Sequence, residues 1–352
     1  MSGPRTLALD AMGGDVGPEV VVPGAALALA SQPDLHFVFF GDEARIARCM
    51  EAHTGLTGHA RIVHTDLTVG SEDKPSQAIR RAKGTSMWLC IEAVKTGEAH
   101  AAISAGNTGA LMALAKLILR PLPAVERPAL AAFWPTIRGA SIVLDVGANI
   151  GASAAELVKF SLMGATMARA RLGVDRPTVG LLNVGSEEIK GNEEVRAAHA
   201  LLKQHAACLP FAYHGFIEGD QIGQGTVDVV VVEGFAGNIA LKTAEGTARQ
   251  MASYLRAAMA RSLVTKVGAL LARNGFAELK QKIDPRRVNG ALFAGLSGIA
   301  IKSHGGTDAL GFASAIKVGY QMAESGLIER ISSDIGAISE LLATASNEPE
   351  SR

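Results

Sequence analysis

From residue 5 to about residue 240, short apolar runs alternate with runs of helical length, and this alternation is what most constrains the fold. Strand-like stretches fall at 6–9, 35–40, 60–64, 100–103, 129–134, 141–145, 178–182 and 227–232. Helix-like stretches fall at 18–31, 42–53, 75–96, 108–119, 153–171 and 192–206. Strands that alternate with helices build a mostly parallel sheet covered on both faces, so the expected class is α/β: a three-layer α/β/α sandwich around a mixed sheet. The mixed character comes from 129–134 and 141–145. Their connection, Pro135 to Ala140, is too short for a parallel crossover and predicts an antiparallel hairpin.

Five of the strand-like runs end in loops of Gly, Asn, Ser and acids. These are Asp10–Asp15, Ser104–Gly109, Asp145–Asn149, Asn183–Asn192 and Glu233–Asn238. In an open parallel sheet such loops gather at the carboxyl ends of the strands, where ligands bind. Glycine lets the backbone approach a ligand, and helix N-termini present free N–H groups to anions. The expectation is one composite anion-binding site.

After residue 238 the chain reads as mainly helical. Leu255, Met259, Leu263, Val267 and Leu270 recur at three- and four-residue spacing, with Arg256, Arg261, Lys266 and Arg273 between them. The amphipathic segment, about 250–282, faces either the core or a second copy, or else meets a membrane or a lipid-carrying partner. Residues 1–345 read as one domain, and 346–352 as a polar, disordered tail.

Bulk composition narrows the function. Over 352 residues, Lys+Arg and Asp+Glu total 34 each, and aromatic content is 5%. A dedicated nucleic-acid binder would be basic, and a base-stacking protein richer in aromatics, so no nucleic-acid partner is expected. Cys49, Cys90 and Cys208 show no paired spacing and fit a reducing compartment. Met1–Arg5 leads straight into a strand with no signal-peptide pattern, and the apolar run Ala110–Leu119 is too short for a membrane span and carries Lys116. A cytoplasmic protein is expected, with at most peripheral membrane contact.

Ser104, Asn107 and Thr108 form a loop of small donors before a helix, which suits a phosphate; its plainer reading is a capped helix entry. Lys190, bracketed by Gly185 and Gly191 and by Glu187, Glu188 and Glu193, is either a site cation or part of a solvated charge run. Gly237–Thr243 lacks the Gly before Lys242 that a P-loop needs. What remains is Asn238 at a helix entry, as ligand donor or as plain cap, with Lys242 one turn in. Asp145–Gly151 resembles the first motif of adenosylmethionine methyltransferases, but no acid follows the next strand. No Gly-x-Gly-x-x-Gly fingerprint follows any strand either. Asp10 and Asp15 flank Gly13 and Gly14 without the clustered ligands of a metal site. His304, between Lys302 and Gly305, is a candidate proton donor. From the residues alone the reading is a phosphate-binding α/β enzyme.

Taken in order, Asp10–Asp15, Ser104–Ala110, Asn183–Glu193, Gly234–Lys242 and His304–Gly306 closely resemble the bacterial phosphate acyltransferases of phospholipid synthesis, the PlsX family, across roughly residues 6–330. Glu233 stands where that family usually has Asp, and Val288–Gly295 departs from its usual pattern. The resemblance implies reversible transfer of a fatty acyl group from acyl carrier protein to inorganic phosphate, giving acyl phosphate for phosphatidic acid synthesis. It implies a fold similar to phosphotransacetylase and isopropylmalate dehydrogenase, a homodimer, no cofactor and no metal. It also implies peripheral membrane association, through a glycerol-3-phosphate acyltransferase or directly. For that reaction Lys190, Asn238 and His304 are the expected catalytic residues. Asp10, Gly13, Gly14, Ser104, Asn107, Thr108, Asp145, Asn149, Asn183 and Lys242 are the expected phosphate and substrate contacts. Arg80, Arg81, Lys83, Arg256, Arg261, Lys266, Arg286 and Arg287 are candidates for docking the acidic carrier.

Overall fold

The computed structural model describes residues 4–282 and 284–345; the tail expected at 346–352 lies outside them. Eleven strands form one sheet: β1 Arg5–Asp10, β2 Leu35–Gly41, β3 Ala60–His64, β4 Ala101–Ser104, β5 Ala129–Thr136, β6 Gly139–Leu144, β7 Thr178–Leu182, β8 Ala212–Ile217, β9 Val229–Val231, β10 Ala291–Ala294 and β11 Ile299–Lys302. In the first half of the chain the helices are α1 Pro18–Ser31, α2 Glu43–Glu51, α3 Pro75–Arg81, α4 Ser86–Lys95, α5 Thr108–Leu119 and α6 Ala154–Leu172. Beyond them come α7 Glu193–Gln204, α8 Gly219–Ile222, α9 Gly234–Ala260, α10 Leu263–Leu271, α11 Arg273–Lys282, α12 Ala309–Glu324 and α13 Leu327–Ala345.

The strand order is β3-β2-β1-β4-β11-β10-β5-β6-β9-β7-β8. The expected hairpin is present: β5 pairs antiparallel with β6 through Trp134–Ser141 and Thr136–Gly139. The expectation of a mainly helical end fails at β10 and β11, which lie in the middle of the sheet. There β11 runs parallel to β4, and β10 lies antiparallel between β11 and β5. The helix expected at 75–96 is two helices, because Thr85 caps the second by accepting from the Trp88 N–H at 3.3 Å.

The pairings fix one row across ten strands: Phe39, Leu9, Ile103, Ile301, Leu292, Ala131, Leu144, Val231, Leu181 and Phe216. Every member belongs to the apolar cluster on one face of the sheet. Moving one residue along each strand reverses the side. Ala8, Ala102, Ala300, Phe293, Leu130, Val143 and Val230 all belong to the cluster on the other face. Helices cover both clusters, which is why these strands read as continuous apolar runs rather than alternating ones.

Three antiparallel junctions in the middle of the sheet reverse its direction. The block β3-β2-β1-β4-β11 and the block β6-β9-β7-β8 are each parallel within themselves and run opposite ways. The loops after β1, β4 and β11 therefore leave one edge of the sheet, and those after β6, β7 and β9 leave the other. The two carboxyl edges nevertheless sit close in register: Leu144 shares a row with Ile301, one residue short of Lys302.

Candidate active site

At the first edge three loops interlock. Asp10, 1% exposed, accepts from Ser104 Oγ at 2.6 Å and from the Met12 N–H at 3.3 Å; Ser104 Oγ in turn accepts from the Gly106 N–H at 3.0 Å. A Cβ on Gly13 would stand 2.7 Å from Asp10 Oδ2 and 2.8 Å from the Gly106 nitrogen, so only glycine lets the first two loops close on each other. The Asp15 N–H donates to the Gly305 carbonyl at 3.1 Å, joining the third loop. Gly14 lies on that seam with φ +87.

Asn107 caps α5 by accepting from the Ala110 N–H at 2.9 Å. Its amide donates to the Ser71 carbonyl at 2.7 Å and to the Asp73 carbonyl at 3.2 Å. The side chain is thereby spent on the loop, and what it offers a ligand is the ordered start of α5, with exposed Thr108 in its first turn.

His304 stands at this edge. Its N–H donates to Asn289 Oδ1 at 3.0 Å, and the Asn289 amide holds Ser303 Oγ and the Gly311 carbonyl at 2.8 Å each, so Asn289 fixes the turn that presents the imidazole. Partial burial first, and then the Lys242 charge, hold the His304 ring below its ordinary value. At neutral pH it is uncharged and donates only as a neutral ring N–H.

Lys302, which the sequence reading passed over, ends β11 beside Ser104 in register. Its ammonium donates to the Ala105 carbonyl at 3.2 Å and also to the Ser303 carbonyl. Burial, and then Lys242, bring it down to about 8, while Asp10 and Asp15 pull the other way. Lys242 reaches this edge from α9, and its own ion pair is with Glu245 at 3.1 Å.

The second edge is organised around Asp145. One oxygen accepts from the N–H groups of Leu130 at 3.1 Å, Gly147 at 2.9 Å and Ala148 at 2.8 Å. The other accepts from the Asn149 N–H and the Asn149 amide, both at 2.8 Å. Burial outweighs these donors and raises the carboxyl. Glu233 caps α9, accepting from Phe235 at 2.9 Å and Ala236 at 2.7 Å, and also takes the Gly151 N–H at 3.1 Å. Asn238 is not the cap; its side chain is exposed over Gly147. This edge and α7 line a cavity of about 440 Å³ with Arg127, Glu156, Asn192, Glu194 and Glu233.

Two expectations are corrected by this geometry. The five loops do not form one row, because the sheet reverses between them. Asp145 is buried, and it and the Asn149 amide bond within their loop and to Pro128 and Leu130 around the start of β5. Lys190, Asn238 and His304 come from three separate segments: the loop after β7, the first turns of α9 and the loop after β11. Lys190 is exposed and pairs with Glu187 at 2.8 Å, its main chain carbonyl accepts from the Asn183 amide at 3.1 Å, and Asn238 sits at the second edge. Of the docking candidates, Arg286 is occupied by Asp284 and Asp308 at 2.6 and 2.7 Å, whereas Arg80, Arg81, Lys83, Arg256, Arg261 and Lys266 are exposed. The core-facing reading of the amphipathic segment fails as well: Leu263 is 80% and Leu270 63% exposed, and α10 buries none of its residues.

Among the described residues no cluster of His, Cys, Asp and Glu could hold a metal, and no helix is long and apolar enough to cross a membrane. One mixed sheet with helices on both faces is the architecture of the phosphotransacetylases. The phosphotransacetylase of Streptococcus pyogenes superposes with a TM-score of 0.62 at 14% identity, covering 91% of this chain and 94% of its own. That of Staphylococcus aureus gives 0.59 at 15% identity, over 91% and 94%. The family described as "Fatty acid synthesis protein" matches residues 5–330, and the chain belongs to it. Relatives named phosphate acyltransferase include those of Azorhizobium caulinodans, 58% identical over 95% of this chain and 94% of the relative, and Xanthobacter autotrophicus, 58% identical over 94% and 93%. The chain is an acyltransferase of lipid synthesis.

Proposed function

We propose that the chain transfers a fatty acyl group, reversibly, from acyl carrier protein to inorganic phosphate. The observation that carries this reading is the interlock of the Asp10, Ser104 and His304 loops beside the start of α5, with Lys302 and Lys242 at the same edge. Phosphate is already an anionic nucleophile, so the protein need only position it. One phosphate oxygen attacks the thioester carbonyl carbon. The C–O bond forms, the C–S bond breaks, and the sulfur leaves with the electron pair and takes a proton. The leaving thiol has a free pKa near 8.5, so no strong acid is required. Thr108, Gly13, Gly14 and the first N–H groups of α5 receive the phosphate, Ser104 ties their loop to Asp10, and His304 faces the departing sulfur. Asn238, Asn183 and Lys190 border the acyl carrier's path from the second edge.

The exposed Arg80, Arg81, Lys83, Arg256, Arg261 and Lys266 suit an acidic carrier, and such steering weakens with salt. The bare apolar side of α10 suits a second copy of the chain or a lipid surface, directly or through a glycerol-3-phosphate acyltransferase in the cytoplasm. The test is acyl-phosphate formation from palmitoyl-acyl carrier protein and phosphate, with palmitoyl-coenzyme A in parallel. Carrier-dependent product without a covalent acyl-enzyme supports the reading. No product from either donor, or an acyl group trapped on the protein, overturns it.

A further inference from the structure

We propose that Lys302 is the anchoring cation of the acceptor anion, and that its ammonium, which donates to the Ala105 and Ser303 carbonyls, exchanges them for the anion. This rests on the phosphate-acceptor reading and names the residue that makes it work.

The argument starts from position. β11 is a central strand, with β4 on one side and β10 on the other, so a side chain leaving its last residue emerges in the middle of the first loop group. Most of the Lys302 side chain is enclosed, and its head meets two neutral oxygens. Among the described residues it forms no ion pair. A mostly enclosed ammonium without a contacting counter-ion is costly unless an anion completes it.

Among the described residues no acid contacts the Lys302 ammonium. Asp10 is held by Ser104 and Met12. Asp15 lies along the Gly305–Gly306 turn. Glu245 is paired with Lys242. The remaining titratable groups in range, Lys242 and His304, add positive charge or none. The loop carbonyl that Lys302 holds, Ala105, is three residues before the first helical residue of α5. The ammonium and the α5 N-terminus therefore address the same space from two sides. Lys190, exposed and paired with Glu187, has no such setting.

Two consequences separate this role from a structural one. The anion binds only while Lys302 is protonated, so affinity falls as pH rises through about 8. Above that pH, binding must take up a proton. An arginine at the same position keeps the charge, stays protonated at every accessible pH, and abolishes both effects.

The experiment measures inorganic phosphate binding to the full-length protein by isothermal titration at pH values below and above 8, in buffers of different ionisation enthalpy, with no acyl donor present. Loss of one charge-assisted contact predicts phosphate binding weaker by about 10- to 100-fold in Lys302→Gln. Lys95→Gln, on an exposed helix end, should match the wild type. Lys302→Arg should bind phosphate with no proton uptake at high pH. Unchanged binding by Lys302→Gln, or wild-type binding without proton uptake above pH 8, overturns the assignment and leaves the acyltransferase reading standing. If Lys302→Gln fails to fold, the proton count of wild type against Lys302→Arg decides the matter alone. Absence of phosphate binding in the wild type overturns the assignment and the acceptor reading together. Binding as inferred without acyl transfer would leave Lys302 in place and remove only the proposed reaction.

Discussion

Substituting Asp145→Asn distinguishes a ligand-binding acid from a loop-building one. The carboxylate accepts three N–H donors on one oxygen and two on the other. An asparagine keeps one carbonyl oxygen for the first three and turns an amide toward Asn149, leaving both of its donors without an acceptor. Each buried donor left unpaired costs about 1–3 kcal/mol, so the expected loss is about 2–6 kcal/mol. Total stabilities are about 5–15 kcal/mol, so the variant folds but unfolds at clearly lower urea. Equilibrium urea unfolding, followed by far-ultraviolet circular dichroism at constant slope, measures it. The KM for phosphate should stay within about twofold of the wild type, because the carboxylate faces its own loop. A variant of unchanged stability with a large rise in that KM would refute the reasoning and return Asp145 to the substrate.

Other outcomes follow from the same geometry. Ser104→Ala removes the 2.6 Å bond to buried Asp10 and should cost about 1–3 kcal/mol in urea unfolding while raising the KM for phosphate. Gly13→Ala places a methyl against Asp10 Oδ2 and the Gly106 nitrogen, and overpacking of that kind costs about 1–3 kcal/mol. His304 is held low by burial and by Lys242. Its titration by nitrogen-15 NMR should lie below the ordinary histidine value, and Lys242→Gln should move it upward. If Arg80, Arg81 and Lys83 steer the carrier, added salt should raise the KM for acyl carrier protein and leave that for coenzyme A thioesters nearly unchanged.

Much of the fold was readable because the strands of a doubly covered sheet are apolar throughout, as in Leu35–Gly41 and Val179–Leu182. The loops between them carried the chemistry in plain letters. What could not be read was direction. β10 and β11 are four residues each and flank Gly295–Gly298, which resembles a loop as much as a hairpin. β8 carries a bulge at His214, where its register with β7 shifts. Without β10 and β11 the two parallel blocks could not be seen to oppose each other, and five loops looked like one site. The same omission hid Lys302, an unremarkable letter before a Ser-His until the strand that carries it is placed at the sheet's centre. Lys190 stood out for the opposite reason: glycine and acid neighbours mark a loop, but its local Glu187 partner satisfies it on the surface.

The central place of β11 also governs how the chain reaches this state. Ile103 and Ile301, neighbours in one row, are roughly 200 residues apart in sequence. Until the last strands are synthesised, β4 and β5 each present an unpaired edge, and the two blocks have nothing between them. A nascent chain that ends before β11 is a pair of half-sheets with open hydrogen-bonding rims, a form prone to wrong pairing and to capture by chaperones. The hairpin that arrives last acts as a keystone, and folding of this protein should be slow, late and intolerant of truncation before Lys302.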